Sequence, residues 1–216
     1  MSQSDEFVRE VEEDLRKEHY QRLWDRYGRY VVALAVVLVL AVAGFNLWRD
    51  WRERQREAAS AQLAEALANA QTNPEQAANA LGALADKSSP GFAALARLNE
   101  AALLINKGDR EGALRVYDTL AADSSADPAL RDLGVVLGVM HRIDAGDPAQ
   151  LSQRLALLIG AGNPWRFNAL ELTAVLAVKS GDKARASELF RKLADDTEAP
   201  ANIRARAAEM LAALAG

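Results

Sequence analysis

Few side chains in this 216-residue sequence have the chemistry of an active site, and their spacing works against one. There are two histidines, His19 and His141, and no cysteine. An imidazole acts as a general base or a metal ligand only when a second group is aimed at the same atom. An uncharged run from Tyr30 to Trp48 separates the two, so a chain crossing a bilayer once would hold them on opposite sides. Without cysteine there is no disulfide, thiolate nucleophile or thiolate metal site. Adjacent carboxylates occur at Glu12-Glu13-Asp14 and at Asp195-Asp196. Neighbours in a helix point in different directions rather than at one reacting atom. No Walker loop, Gly-x-Ser-x-Gly elbow or His-Glu-x-x-His pair is present. The residues therefore predict no enzyme, no metal, no cofactor and no small-molecule substrate.

What remains is the chemistry of apolar contact. Three stripes recur at helical spacing: Leu95/Leu98/Ala102/Ile105, Leu133/Val136/Met140/Ile143 and Leu172/Val175/Ala177/Val178. Any one of these is more often core than surface, but stacked helix pairs curve and expose one row of helices to a partner. The candidate protein-binding residues are Leu98, Ile105, Val136, Met140, Ile143, Val175 and Lys179. Asn106, Arg142, Asn168 and Lys179 would supply polar edges that orient a bound segment.

The elements that position these residues begin with the uncharged run itself. At about 1.5 Å per residue its 19 residues span roughly 28 Å, close to the ~30 Å apolar thickness of a bilayer. A helix satisfies its own backbone polar groups there. Tyr30, Val37, Leu40 and Trp48 mark the membrane anchor, and Trp24, Tyr27 and Trp51 the interfacial aromatic belt. Ala41-Val42-Ala43 has the small-x-small form of a cleavage site, but an acidic 29-residue leader is wrong for a secretory n-region and the apolar run continues past it. Five basic residues precede the run within about 15 residues and four follow it, which barely discriminates orientation. A short charged leader, one uncleaved span and a long domain fit an anchor with its N-terminus inside.

Residues 1–29 hold six basic and eight acidic side chains, and the remainder 20 and 22, so neither part is a polycation and no nucleic-acid partner is expected. Within the leader, Phe7, Val11 and Leu15 recur at helical spacing and are candidates for docking a cytoplasmic or membrane partner. Residues 49–72 contain no Gly or Pro and predict a helix leading into the next domain.

Six prolines then organise the chain, at Asn73-Pro74, Ser89-Pro90, Asp127-Pro128, Asp147-Pro148, Asn163-Pro164 and Ala199-Pro200. In five of them a capping residue precedes proline, which is the start signal of a helix. No alternating strand pattern lies between them, and the domain is predicted all-α. Segments beginning at Asn73, Asp109, Asp147 and Asp182 are separated by 36, 38 and 35 residues. Each carries a small or apolar residue and then a larger one four positions on: Ala77/Leu81, Ala113/Tyr117, Leu151/Leu155 and Ala186/Phe190. Gly108-Asp109, Gly146-Asp147 and Gly181-Asp182 make the preceding turns. A period of this length built from paired helices predicts a helical-repeat solenoid over residues 73–198, closed by a capping helix over 199–216.

Gly108-Asp109…Ala113…Tyr117 and Gly181-Asp182…Ala186…Phe190 resemble the second helix of tetratricopeptide repeats. The first-helix pattern of Trp, Leu-Gly and Tyr is not matched, so these repeats are degenerate. With the leader EFVREVEEDLRKEHYQRLWDRYGRY before one span, the chain resembles the bacterial family of ancillary Sec translocon subunits. That resemblance implies a bacterial inner-membrane protein, N-terminus cytoplasmic, whose periplasmic domain is tetratricopeptide-like. It also implies Sec translocon subunits and periplasmic chaperones or exported clients as partners, beside the lipid bilayer. A scaffold of another envelope complex, in cell division or cytochrome maturation, is the alternative reading.

Overall fold

A computed structural model describes residues 3–215, with side chains at Trp24, at 26–30 and from Val32 onward. Among these residues every regular element is a helix. α1 is Gln3–Asn69, α2 Pro74–Lys87, α3 Pro90–Asn106, α4 Arg110–Ala122 and α5 Pro128–Arg142. They are followed by α6 Pro148–Ala156, α7 Arg166–Lys179, α8 Lys183–Asp195 and α9 Ala201–Ala215. The chain divides into two units, Met1–Arg56 and Glu57–Gly216.

The first unit contains a helical segment long and apolar enough to cross a membrane. Tyr30, Val37, Leu40 and Trp48 are exposed, as are Trp24, Tyr27 and Trp51. Arginines lie over the aromatic rings at both ends of the apolar run. The Arg29 guanidinium is 4.8 Å from the Tyr30 ring and donates to its hydroxyl at 3.0 Å. Arg52 lies 4.2 Å from the Trp48 ring. The side chains of Phe7, Val11, Leu15 and His19 lie outside the described residues.

In the second unit, capping chemistry sets the helix starts. The side chains of Asn73, Asp109, Asp127, Asp147 and Asp182 each accept a backbone N–H from the first turn that follows. Each satisfies a donor that the helix cannot. Ser89 makes no such bond, and its Pro90 alone marks the start of α3. Gly108 and Gly181 occupy the left-handed region at φ 84° and 80°, so the two turns that resemble each other in sequence share a backbone conformation. Gly146 does not share it. A Cβ there would meet the Leu151 side chain at 2.8 Å and the Arg142 carbonyl oxygen at 3.1 Å, so close packing rather than a turn angle disfavours a side chain.

Asn163-Pro164 departs from the expected helix start. α7 begins at Arg166 rather than Pro164, although the Asn163 amide oxygen makes the same bond, to the backbone N–H two residues on, that Asp127 and Asp147 make. The Asn163 oxygen accepts the Trp165 backbone N–H at 2.8 Å, and its nitrogen donates to Asp132 at 2.7 Å. α6 is also shorter than the Asp147–Ile159 pattern suggests, ending at Ala156 after 9 residues.

All eight residues of the repeated pairs are buried: Ala77, Leu81, Ala113, Tyr117, Leu151, Leu155, Ala186 and Phe190. Core clusters follow one another along the chain. The end of α1 meets α2 and α3 around Leu81 and Leu84; α3 and α4 join at Ala101, Ala113 and Tyr117. α5, α6 and α7 share Val139, Leu155 and Leu176, and α7, α8 and α9 share Leu189, Phe190 and Ile203. Burying such side chains at about 25 cal/mol per Å2 makes each junction a local source of stability.

Candidate protein-binding face

Helices next but one in sequence define the face. α3 packs on α5, α5 on α7 and α7 on α9, whereas the backbones of α4, α6 and α8 stay apart among the described residues. The odd-numbered helices therefore form the tighter side of the second unit. On α3, Gly91, Leu95 and Ala102 are exposed, with Leu98 and Ile105 half-buried beside them. On α5, Met140 is 41% exposed, above half-buried Leu133 and Leu137. On α7, half-buried Leu172 and Val175 lead to exposed Lys179. At about 100° per residue, positions 133, 137 and 140 fall on one stripe, as do 168, 172, 175 and 179.

This register changes the expected site. Val136 is buried in the cluster shared with Leu155 and Ala169, and cannot meet a partner without disrupting it. Ile143 packs on the same cluster from the end of α5. Val136 and Ile143 lie two turns apart on the flank turned toward α7, while Leu137, one residue on, turns toward α3 and Tyr117. Leu98 and Ile105 pack partly against the α3–α4–α5 clusters, and Val175 against the last cluster. Met140 and Lys179 alone among the seven candidates are exposed. Leu95 is the exposed apolar counterpart of Met140 on α3.

Two of the four polar edges, Lys179 and Arg142, are committed to neighbours. Lys179 Nζ donates to Asp144 at 2.7 Å, which holds that carboxyl below its usual range. Arg142 turns back to α4, where Asp118 accepts from it and, at 2.7 Å, from Arg154. Burial pushes Asp118 up, but the hydrogen bonds from Arg154 and Arg142 outweigh it and hold the carboxyl below its usual range. Asn106 is exposed and Asn168 half-buried.

Several of these ties join residues about one repeat apart. Asp118 to Arg154 and Ala129 to Trp165 span 36 positions, and Asp144 to Lys179 and Glu171 to Arg206 span 35. Charge complementarity at the repeat spacing was the unread signal for the three charged ties, whereas the Trp165 indole bond to the Ala129 carbonyl left none.

Of the remaining polar candidates, the side chains of Glu12-Glu13-Asp14 lie outside the described residues, and His141 and Asp196 make local contacts. The His141 ring stacks on Tyr117 at 5.8 Å, and burial followed by the Arg110 charge lowers its pKa. Asp196 accepts the Glu198 backbone N–H at 2.9 Å and lies 3.9 Å from the Arg166 guanidinium. No cluster of metal-ligating side chains occurs among the described residues. On the other side of the row, the early end of α6 leaves a cleft of about 470 Å3 lined by Ser152, Ala156, Thr173 and Leu176, and Leu157 stands 87% exposed.

A family model described as a tetratricopeptide repeat-like domain matches residues 21–136, more than half of the chain, from before the apolar run into α5. Domains of this kind are generally non-catalytic protein-binding modules. No curated protein and no solved structure matches the chain.

Proposed function

This chain belongs to the tetratricopeptide repeat-like domain family, and from that premise we propose that it is a membrane-anchored protein-interaction module serving the Sec translocon. The observation that carries the protein-binding part is the odd-helix face, where Leu95, Ala102 and Met140 stay exposed beside half-buried leucines. An apolar strip of this kind offers contact to an apolar segment and little to a charged peptide, since Lys179 and Arg142 are already paired.

In this reading the repeats form a solenoid whose odd helices line the inner surface. The apolar run of α1 anchors the chain in the bacterial inner membrane, N-terminus in the cytoplasm and repeats in the periplasm. The leader, with Phe7, Val11 and Leu15, docks translocon subunits, and the repeats hold periplasmic chaperones or newly exported clients. The leader-span-repeat order supports the translocon assignment through its resemblance to ancillary Sec subunits.

Affinity purification of the full chain from detergent-solubilised bacterial membranes tests the assignment. Translocon subunits recovered in amounts comparable to the bait, and lost on deleting residues 1–23, are the expected result. Recovery of a division or cytochrome-maturation assembly without translocon subunits would transfer the module to that complex.

A further inference from the structure

We propose that Arg49, Arg52 and Arg56 form a headgroup site for an anionic phospholipid. The inference rests on the membrane-spanning reading of α1. At about 100° per residue the three arginines fall within a stripe roughly 60° wide. Asp50, Glu53 and Glu57 occupy the adjoining sector, about 40° to 100° beyond Arg49, and Trp48 and Trp51 flank the arginines on the other side. All three arginines are exposed, and none joins an ion pair among the described residues.

The segment from Arg49 to Glu57 holds four arginines and three acids, so its net charge alone gives little attraction. Segregation into stripes is what makes an anion site. The Arg52 guanidinium carbon lies over the Trp48 ring, 4.2 Å from its centroid. A guanidinium held on an aromatic ring keeps N–H donors in the fork geometry that matches a phosphate. Arg49 and Arg52 lie about 1.5 and 6 Å along the axis beyond Trp48, at headgroup depth, and Arg56 reaches back from about 12 Å on its flexible stem.

The test uses the full chain reconstituted in vesicles of equal phosphatidylcholine and phosphatidylglycerol, extracted in mild detergent, with retained lipid counted by native mass spectrometry. The wild type should retain phosphatidylglycerol preferentially. Each arginine near an anionic surface contributes roughly fivefold, so R49Q/R52Q/R56Q should lower the preference by about tenfold or more. Glutamine keeps the helix. R54Q lies off the stripe and should cost no more than the roughly fivefold share of one surface arginine, well short of the triple variant. An unchanged lipid ratio in the triple variant overturns the site, as does an equal loss in R54Q. Displacement of the lipid by millimolar inorganic phosphate would make it a free-anion site and overturn the lipid assignment. Alkaline carbonate extraction separates the two readings. A wild type that carbonate releases overturns the span and the lipid site together, whereas one that resists carbonate without lipid preference overturns the lipid site alone.

Discussion

Met140 and Val136 are one helical turn apart on α5, yet Met140 is exposed and Val136 lies in the core with Leu155. Met140→Glu should therefore leave stability within about 0.5 kcal/mol, while Val136→Ala should cost about 2 kcal/mol, both readable by urea denaturation. Asp123 shows how single contacts set pH dependence. The Ser125 hydroxyl, Arg97 and the Ser125 backbone N–H hold its carboxyl at about 2 against an ordinary 3.8. A depressed carboxylate stabilises the fold above its unfolded pKa, and that contribution disappears as pH falls through the folded value. Asp123→Asn should thus lower the thermal midpoint at pH 7, and its difference from wild type should shrink between about pH 4 and pH 2. Glu100 is the opposite case. Burial and then Asp86 raise its pKa, beside Gly82, where a Cβ would meet the Glu100 carboxylate at 3.0 Å. Its ionised form opposes folding, so Glu100→Gln should raise the midpoint at pH 7 and have less effect at pH 4.

Helix starts were legible wherever a side chain acted on its own backbone. Asn73, Asp109, Asp127, Asp147 and Asp182 cap the helices beside them, and local spacing is sufficient to find them. At Asn163 the local bond was legible but its second one was not: the amide nitrogen donates to Asp132, 31 positions away. The same limit explains the register of α5. Spacing identifies an apolar helix, but whether Val136 or Leu137 turns inward depends on where α7 lies. Turn glycines follow from local geometry again. Gly108→Ala and Gly181→Ala should each cost roughly 1 kcal/mol, since an added Cβ disfavours their left-handed backbone. Gly91→Ala, with open space about its Cβ in the first turn of α3, should be neutral or stabilise by about 0.5 kcal/mol.

Across the repeat unit, stability is a series of local junctions, each a cluster of helices close in sequence. That arrangement leaves the outward stripes of α3, α5 and α7 available for recognition, with Asp118, Asp144 and Glu171 tying one repeat to the next around them. The stripes were partly visible in the sequence, since Leu95, Leu133, Met140 and Leu172 recur at helical spacing. The paired state of Arg142 and Lys179 was not, and under the proposed reading it favours an apolar segment as partner. Photo-crosslinking in intact cells, with the probe at Leu95 or Met140 on the odd-helix face and at Leu157 on the other side, tests this most directly. Strong protein adducts from the first two positions and weak ones from Leu157 are predicted. Equal yields from both sides, or capture at Leu157 alone, would contradict recognition through the odd-numbered helices.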